Sequence, residues 1–211
     1  MSQVIVVAGT DTGIGKTVFA AALSSHLGAY YWKPVQSGLN SETDSEAIIR
    51  LGGAPAGRLV PEIYRLRTPA SPHHAAKIDG IEIDVDRLSV PRLAAPLIIE
   101  GAGGLMVPLT ECRTFLDVFA RWRQPVVLCA RTQLGTINHT LLSLEALRRR
   151  SVPVLGVVFI GHAQPETERV IGEMGEVPIL GRLPWLEILS PANLKASFET
   201  AFSEVSFRDR G

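Results

Sequence analysis

A glycine-rich stretch near the start of the chain combines the residue types that bind phosphate. Residues 9–17 read Gly-Thr-Asp-Thr-Gly-Ile-Gly-Lys-Thr, after an apolar run at 4–8 and before a segment that predicts a helix. Glycines let the backbone approach phosphate oxygens, the start of a helix offers free N–H groups, and the lysine reaches the β- and γ-phosphates. The stretch therefore predicts a nucleotide-triphosphate site, in which the final threonine would ligate Mg²⁺.

The spacing of this stretch is a variant of the usual phosphate loop. The common pattern has a glycine five positions before the second glycine, where this chain has Thr10, and Gly9 lies one residue further out. The variant adds polar side chains at 10–12 beside the expected γ-phosphate. A strand-to-helix turn that binds nothing is the alternative, and the Gly-Lys-Thr between strand and helix disfavours it.

Two further segments end predicted strands with polar side chains. The aromatic run 30–32 leads to Lys33 and Ser37, and the apolar run 96–99 ends in Glu100, which several glycines follow. Ligands bind at the carboxyl ends of strands in open parallel sheets, so these side chains are expected beside the phosphate loop. Alternatively, Lys33 could be an ordinary surface lysine, and Glu100 could be a solvated strand end.

Two predicted helix starts leave alternatives open. Asp44 begins a predicted helix at 44–51, where it could be the N-cap or could hold Mg²⁺. Thr136 or Asn138 precedes a helix predicted at 141–149, where either could cap the helix, or the free N–H groups could bind a carboxylate. The histidines in the proline-bounded loop 69–76 lack a partner cluster for zinc and are expected to shape a pocket wall.

Short apolar strands alternate with helices along the chain. This pattern predicts a single α/β domain over residues 1–211, with a mostly parallel sheet flanked by helices, of the phosphate-loop NTPase type. Residues 54–68 show no firm hydrophobic period and predict no particular element. The last residues of the chain are expected to fray. The predicted strands are 4–8, 30–32, 96–99, 125–130, 153–160 and 177–181, and the predicted helices are 18–27, 44–51, 114–122, 141–149, 166–174 and 192–202.

Composition narrows the classes of partner. Lys+Arg and Asp+Glu both number 21, so the balanced charge disfavours sequence-independent nucleic-acid binding and favours small molecules. No apolar run approaches the roughly 20 residues of a membrane helix, and residues 1–3 carry no basic leader. Cys112 and Cys129 lie far apart, as expected of reduced structural thiols. A cytoplasmic protein is therefore expected.

Taken together, the motifs resemble the dethiobiotin synthetase family over nearly the whole chain. The family closes the ureido ring of dethiobiotin from 7,8-diaminopelargonate, CO₂ and ATP, so the resemblance implies an ATP- and Mg²⁺-dependent cyclo-ligase that forms C–N bonds. It also implies a homodimer with the substrate site at the interface. The matching segments are Gly-Thr-Asp-Thr-x-x-Gly-Lys-Thr at 9–17, Lys-Pro-Val-x-Ser-Gly at 33–38, Ser-Pro-His at 71–73, Glu-Gly-Ala-Gly-Gly at 100–104, Leu-Gly-Thr-Ile-Asn-His at 134–139 and Pro-Trp-Leu at 184–186.

The resemblance assigns a role to each matching residue. The implied catalytic residues are Lys33, Lys16 and Thr12, and the implied Mg²⁺ ligands are Thr17, Asp44 and Glu100. The implied nucleotide-binding residues are Gly13, Ile14, Gly15, Lys16, Thr17, Val18, Asp44, Glu100, Gly101, Ala102, Gly103, Pro184, Trp185 and Leu186. The implied substrate-binding residues are Thr12, Lys33 and Ser37, with Thr136, Ile137 and Asn138 supplied by the partner subunit.

One segment departs from the family pattern. Many members have an Asn-Asp pair, whose Asn reads adenine, at the end of the strand that here finishes in Gly161-His162. We therefore expect weaker base discrimination than in those members. A nucleotide-switched, partner-binding ATPase of the partitioning type is the rival interpretation, but it commonly has a second lysine in the loop, where this chain has residues 10–12. An ATP-dependent amide ligase of cofactor synthesis is a related alternative, but it would usually need an ammonia-producing domain with a catalytic cysteine, for which 211 residues leave no evident room.

Overall fold

Parallel strands form the centre of the molecule. The computed structural model describes residues 2–205 and residue 207. Within them, seven strands form one sheet in the order β4-β2-β6-β1-β7-β8-β9, and β3 pairs with β5 in a second, small sheet. The strands are β1 Val4–Gly9, β2 Tyr30–Trp32, β3 Val35–Ser37, β4 Leu59–Val60, β5 Tyr64–Leu66, β6 Leu97–Glu100, β7 Val126–Arg131, β8 Val154–Ile160 and β9 Ile179–Leu183.

Helices connect most of the strands. Two of them begin with a capping box, in which Thr43 pairs with Glu46 and Thr114 with Asp117. The first helix ends at Gly28, whose left-handed conformation suits a glycine. The helices are α1 Lys16–Leu27, α2 Asp44–Arg50, α3 Pro72–Asp79, α4 Phe115–Trp122, α5 Thr136–Arg149, α6 Pro165–Met174 and α7 Pro191–Ala201.

The core lies on both faces of the large sheet. In β1, Val6 and Ala8 pack into one apolar cluster, whereas Ile5 and Val7 pack into the other. A strand buried on both faces is apolar at every position, which explains why this segment shows no alternation in the sequence. Parallel strands covered on both faces confirm the predicted α/β class.

The boundaries differ from prediction where local sequence carries little information. The segment 35–37, for which no separate strand was predicted, forms strand β3, and three residues are too few to show a hydrophobic period in the sequence. Helix α5 begins at residue 136 rather than 141, and β9 covers 179–183 rather than 177–181. The expected fraying of the last residues concerns mainly 206 and 208–211, which lie outside the described residues.

The structure bears on the predictions about membrane helices and about the two cysteines. Among the described residues, no helix combines the length and apolar character needed to cross a membrane. Both cysteines are free thiols, and Cys129 is buried in β7. Cys112 is exposed and therefore does not belong to the core.

Candidate active site

The phosphate loop joins β1 to α1 at the carboxyl edge of the sheet. Gly13 and Gly15 adopt φ angles of 69° and 98°, which are left-handed conformations that side chains rarely tolerate. A Cβ on Gly15 would also lie 2.9 Å from Cγ2 of Ile160. Lys16 is buried, and its Nζ donates to the Asp11 carbonyl at 2.8 Å. The lysine side chain therefore curls back across the loop, where phosphates would lie.

A buried ion cluster lies next to the loop. Lys33 Nζ is 2.6 Å from Oδ2 of Asp44 and 3.2 Å from Oε1 of Glu100. It also donates to the Gly101 carbonyl at 3.1 Å. Lys33 is 4% exposed and Glu100 is 1% exposed. The alternatives of a surface lysine and a solvated strand end were therefore wrong.

Three oxygen atoms converge at the first turn of α1. Thr17 Oγ1 lies 2.9 Å from Oδ1 of Asp44 and 2.8 Å from Oε1 of Glu100, and as a donor it serves one of them at a time. Thr43 caps α2, so the interpretation of Asp44 as the N-cap was wrong. No group of three or more His, Cys, Asp or Glu side chains in the described residues could hold a metal alone. Two carboxylates and a hydroxyl nevertheless match the hard oxygen ligands that Mg²⁺ takes together with water and phosphate oxygens.

The charges in this cluster shift one another's pKa values. Burial alone would lower the pKa of Lys33, but Glu100 and Asp44 outweigh burial and raise it, so the ammonium stays charged. Burial would raise the pKa of Asp44, but Lys33 reverses that effect and lowers it. Glu100 is the more deeply buried carboxyl, and burial raises its pKa. Burial also lowers the pKa of Lys16.

A cavity of about 720 Å³ opens over the loop and the cluster. Ser37 contributes a buried hydroxyl oxygen that has no hydrogen-bond partner in the described part of the chain. The cavity is lined by residues from five separate parts of the chain: the phosphate loop with the start of α1, the segment 33–37, Asp44, the segment 69–72 and the segment 100–107. Its lining residues are Thr12, Gly13, Gly15, Lys16, Thr17, Val18, Lys33, Gln36, Ser37, Asp44, Pro69, Ala70, Ser71, Pro72, Glu100, Ala102, Gly103 and Val107.

Other predicted site residues lie outside this cavity. Trp185 lines a separate cavity of about 60 Å³ with Gly13 and Ile14, next to the phosphate loop. Leu186 packs partly against the core, and Pro184 is half-buried. His73 and His74 do not line either cavity, so they do not form the expected pocket wall.

The start of α5 differs from the predicted cap. Gly135 is the N-cap, with no side-chain cap bond, so neither Thr136 nor Asn138 caps this helix. Thr136 is buried, and its Oγ1 donates to the Arg131 carbonyl at 2.6 Å. Its N–H donates to the carbonyl of Gln133. Ile137 is half-buried and Asn138 is exposed. Neither residue, nor Thr136, lines the large cavity of its own chain.

Three residues at or beside the site, Gln36, Tyr31 and Arg131, were not predicted from the sequence. Gln36 accepts from the Asp44 N–H at 3.1 Å and donates to the Ser37 carbonyl at 3.0 Å, which links β3 to α2. Tyr31 donates to Oε2 of Glu100 at 2.8 Å. Arg131 pairs with Asp11 of the phosphate loop. The contacts of Tyr31 and Arg131 join residues far apart in the chain, and for them no local signal exists.

A strand, a glycine-rich turn and a helix that begins with Lys-Thr, beside converging carboxylates, define a phosphate-loop nucleotide triphosphatase. A family model described as an AAA domain matches residues 3–193. Proteins named ATP-dependent dethiobiotin synthetase BioD are 61% identical in Rhodopseudomonas palustris strain HaA2 and 60% identical in Agrobacterium fabrum. Each match extends over 207 residues, which is 98% of this chain and 97% or 98% of the relative. The chain belongs to the family of ATP-dependent dethiobiotin synthetases.

Solved structures with low sequence identity share the fold. The cell division ATPase MinD of Pyrococcus furiosus superposes with a TM-score of 0.55 at 15% identity, over 100% of this chain and 93% of its own. A ParA family ATPase from Chlorobium tepidum gives 0.54 at 12% identity, over 95% of this chain and 92% of its own. At this identity the likeness concerns the fold alone.

Proposed function

We propose that this enzyme uses ATP and Mg²⁺ to close the ureido ring of dethiobiotin from 7,8-diaminopelargonate and CO₂, releasing ADP and phosphate. One observation carries the proposal: the buried Lys33 ammonium faces the same cavity as the phosphate loop and the free Ser37 hydroxyl. Family membership supports the choice of substrates. The substrates are small molecules, and we place the reaction in the cytoplasm.

The reaction has three steps. One amine of the substrate adds to CO₂ and forms a carbamate. A carbamate oxygen then attacks the γ-phosphorus, the bond to the β-phosphate oxygen breaks, and ADP leaves. The second amine attacks the carbamoyl carbon of the resulting carbamic-phosphoric anhydride, phosphate leaves, and the ring closes.

The main physical obstacle is the approach of two anions, the carbamate and the triphosphate. Lys16 and Lys33 both line the cavity, so their positive charges would lower this repulsion. A bound Mg²⁺ would neutralise the β- and γ-phosphates, and Thr17, Asp44 and Glu100 would hold it. The hydroxyls of Thr12 and Ser37 would hydrogen-bond the carbamate or the diamine.

The nucleotide would lie along the phosphate loop and the segments beside it. Backbone N–H groups at 13–18 bind its phosphates. The glycine-rich turn 101–103 lets the backbone come close to the ligand. The base would lie near 184–186, because Trp185 borders a cavity with Gly13.

The carboxylate end of the substrate would bind to a second subunit. In the proposed homodimer it rests on helix α5 of the partner, at the partner subunit's Thr136, the partner subunit's Ile137 and the partner subunit's Asn138. Two exposed apolar side chains support an interface here, since Met106 and Leu142 line a cavity of about 360 Å³ beside the phosphate loop.

A direct assay tests the reaction. Purified protein is incubated with 7,8-diaminopelargonate, bicarbonate, Mg²⁺ and ATP, dethiobiotin is measured by mass spectrometry, and phosphate release is followed in parallel. We expect product and phosphate in equal amounts. Product with CTP or GTP but not with ATP would correct the nucleotide. Phosphate release without product under every condition would contradict the proposal and favour the nucleotide-switched ATPase.

A further inference from the structure

Tyr31 is a buried polar residue that the proposed chemistry leaves unexplained. It lies on β2, two residues before Lys33, and is 0% exposed. Its ring packs in the apolar cluster that contains Ile5 and Ile98, where a phenylalanine would fill the same space. The hydroxyl is what distinguishes tyrosine here, and it donates to Oε2 of Glu100 at 2.8 Å.

The two oxygens of Glu100 have different neighbours. Oε1 lies 2.8 Å from Oγ1 of Thr17 and 3.2 Å from Nζ of Lys33. Oε2 points the other way and accepts from Tyr31. A buried carboxylate needs a donor for each oxygen, so the tyrosine fixes the rotation of the carboxylate group. This rotation keeps Oε1 beside Thr17, where the three oxygens converge.

We infer that Tyr31 is a positioning residue that orients Glu100 for Mg²⁺ binding. The inference rests on the proposed function, which assigns Glu100 to the metal. Without the hydroxyl, Oε2 loses its donor, so the carboxylate can rotate and Oε1 can lose its alignment with Thr17. The affinity for the metal then falls, while nucleotide binding in the absence of metal is unchanged, because the hydroxyl removed donates to Glu100 and not to a residue of the phosphate loop.

Binding of Mn²⁺, used as a spectroscopic probe, tests this inference. Free Mn²⁺ is counted by electron paramagnetic resonance during titration of the protein with a non-hydrolysable ATP analogue. We expect Tyr31→Phe to weaken Mn²⁺ binding by about tenfold, the lower end for loss of a partner behind a metal ligand. Tyr30→Phe is the matched control, since it removes the neighbouring hydroxyl from a ring that lies by Arg58.

Activity gives a second readout. In Tyr31→Phe the Mg²⁺ concentration for half-maximal turnover should rise by about tenfold, while kcat at saturating Mg²⁺ stays within about twofold of the original enzyme. A residue that only supports the fold would lower kcat at every Mg²⁺ concentration. Tyr31→Leu also lacks the donor and should give the same rise, so the test does not depend on one variant folding well.

Several results would overturn the inference. Equal Mn²⁺ affinities for Tyr31→Phe and the original protein would show that the hydroxyl does not orient Glu100. Equal losses of metal affinity and of metal-free nucleotide affinity would assign Tyr31 to the fold of the whole site. If the original protein itself fails to bind Mn²⁺ with the nucleotide, the proposed function fails, and the inference fails with it.

Discussion

Lys33 keeps its charge in a place where burial alone would remove it. Taking an ammonium group out of water costs several kcal/mol, and only close, well-oriented anions offset that cost. Asp44 and Glu100 supply two such anions, at 2.6 and 3.2 Å. The same two carboxylates are the proposed Mg²⁺ ligands, so the lysine and the metal would share them and lie close together.

Replacement of Lys33 separates catalysis from nucleotide binding. We expect Lys33→Ala to lower the rate of ring closure by about a hundredfold or more, because one cation between two anions is lost. Nucleotide affinity should change by no more than about threefold, since Lys16 and the loop remain. Lys195→Ala, at an exposed ion pair on α7, is the control. Equal losses of turnover and nucleotide affinity would mean that Lys33 only binds phosphate.

The strand end at 161–162 concerns the choice of base. Gly161 and His162 offer no side-chain amide there, and the Gly161 carbonyl already accepts from Arg182 at 3.1 Å. We expect kcat/KM values for ATP, CTP and GTP within about tenfold of one another, because this strand end has no side-chain amide to read the base. Side-by-side kinetics with the three nucleotides measure this. A preference for ATP as strong as that of members with the amide would contradict it.

Among the elements, the phosphate loop depends most on backbone conformation. It must turn sharply between β1 and α1 and still leave its N–H groups facing a ligand. Two glycines in left-handed conformations make this possible, but their surroundings differ. A Cβ on Gly13 would meet nothing within 4 Å, whereas one on Gly15 would press against Ile160.

This difference predicts unequal effects of alanine. Gly13→Ala should cost about 1 to 2 kcal/mol of loop stability from the left-handed backbone alone. Gly15→Ala has the same backbone cost plus about 1 to 3 kcal/mol for displacing a core side chain. The difference between the two variants is measured from their nucleotide dissociation constants and their thermal unfolding. Equal effects would show that Ile160 yields without cost.

Asp79 links helix α3 to the preceding segment of the chain by hydrogen bonds. Its carboxylate accepts from the Thr68 hydroxyl at 2.7 Å and from the N–H groups of Thr68 and Arg67. These hydrogen bonds, first that of the Thr68 hydroxyl, hold the pKa of Asp79 below its ordinary value of 3.8. The segment 69–72, which lies between these hydrogen-bonded residues, lines the large cavity.

A depressed pKa in the folded state stabilises the protein at higher pH. The stabilisation is present above the unfolded pKa and is lost as the pH falls through the folded one. We therefore expect Asp79→Ala to lower the unfolding temperature at neutral pH, and expect its difference from the original protein to shrink below pH 3.8. Glu82→Ala, at a nearby exposed position, is the control. A difference that stays constant with pH would rule out the carboxylate as its cause.

For the molecule as a whole, the order of strands in the sheet determines which strand ends, and therefore which site residues, lie next to one another. β1 lies between β6 and β7, and β6 lies beside β2, so the ends of β1, β2 and β6 adjoin one another. Parallel strands all point the same way, and the phosphate loop, Lys33 and Glu100 therefore reach one edge. Helix α5 follows β7 on the other side of β1, and its start does not reach the large cavity of the same chain.

A homodimer would bring the start of α5 to the site of a second copy. We expect Met106→Glu with Leu142→Glu to convert a dimer into monomers, because these side chains are 60% and 58% exposed and would be buried in the interface. Ring closure should then be lost, while nucleotide affinity changes by no more than about threefold. Light scattering during gel filtration measures the mass, with Met174→Glu on α6 as the control. An original protein that is monomeric yet active would refute the shared site.

The sequence alone determined the class of fold and the phosphate loop. Regular alternation of apolar strands and helices reflects burial on both faces of a sheet, and the loop depends on adjacent residues, so both leave a local pattern. Lys33 and Glu100 were found for the same reason, since each stands at the end of a recognisable strand. Their roles remain predictions.

Contacts between side chains far apart in the chain follow from the tertiary structure. Strand β3 is too short to show a hydrophobic period in the sequence, and it is defined only by its pairing with β5. The hydrogen bond from Tyr31 to Glu100 spans 69 positions. Such contacts arise from the order of strands in the sheet, which depends on the packing of the whole chain and is not encoded in any one segment.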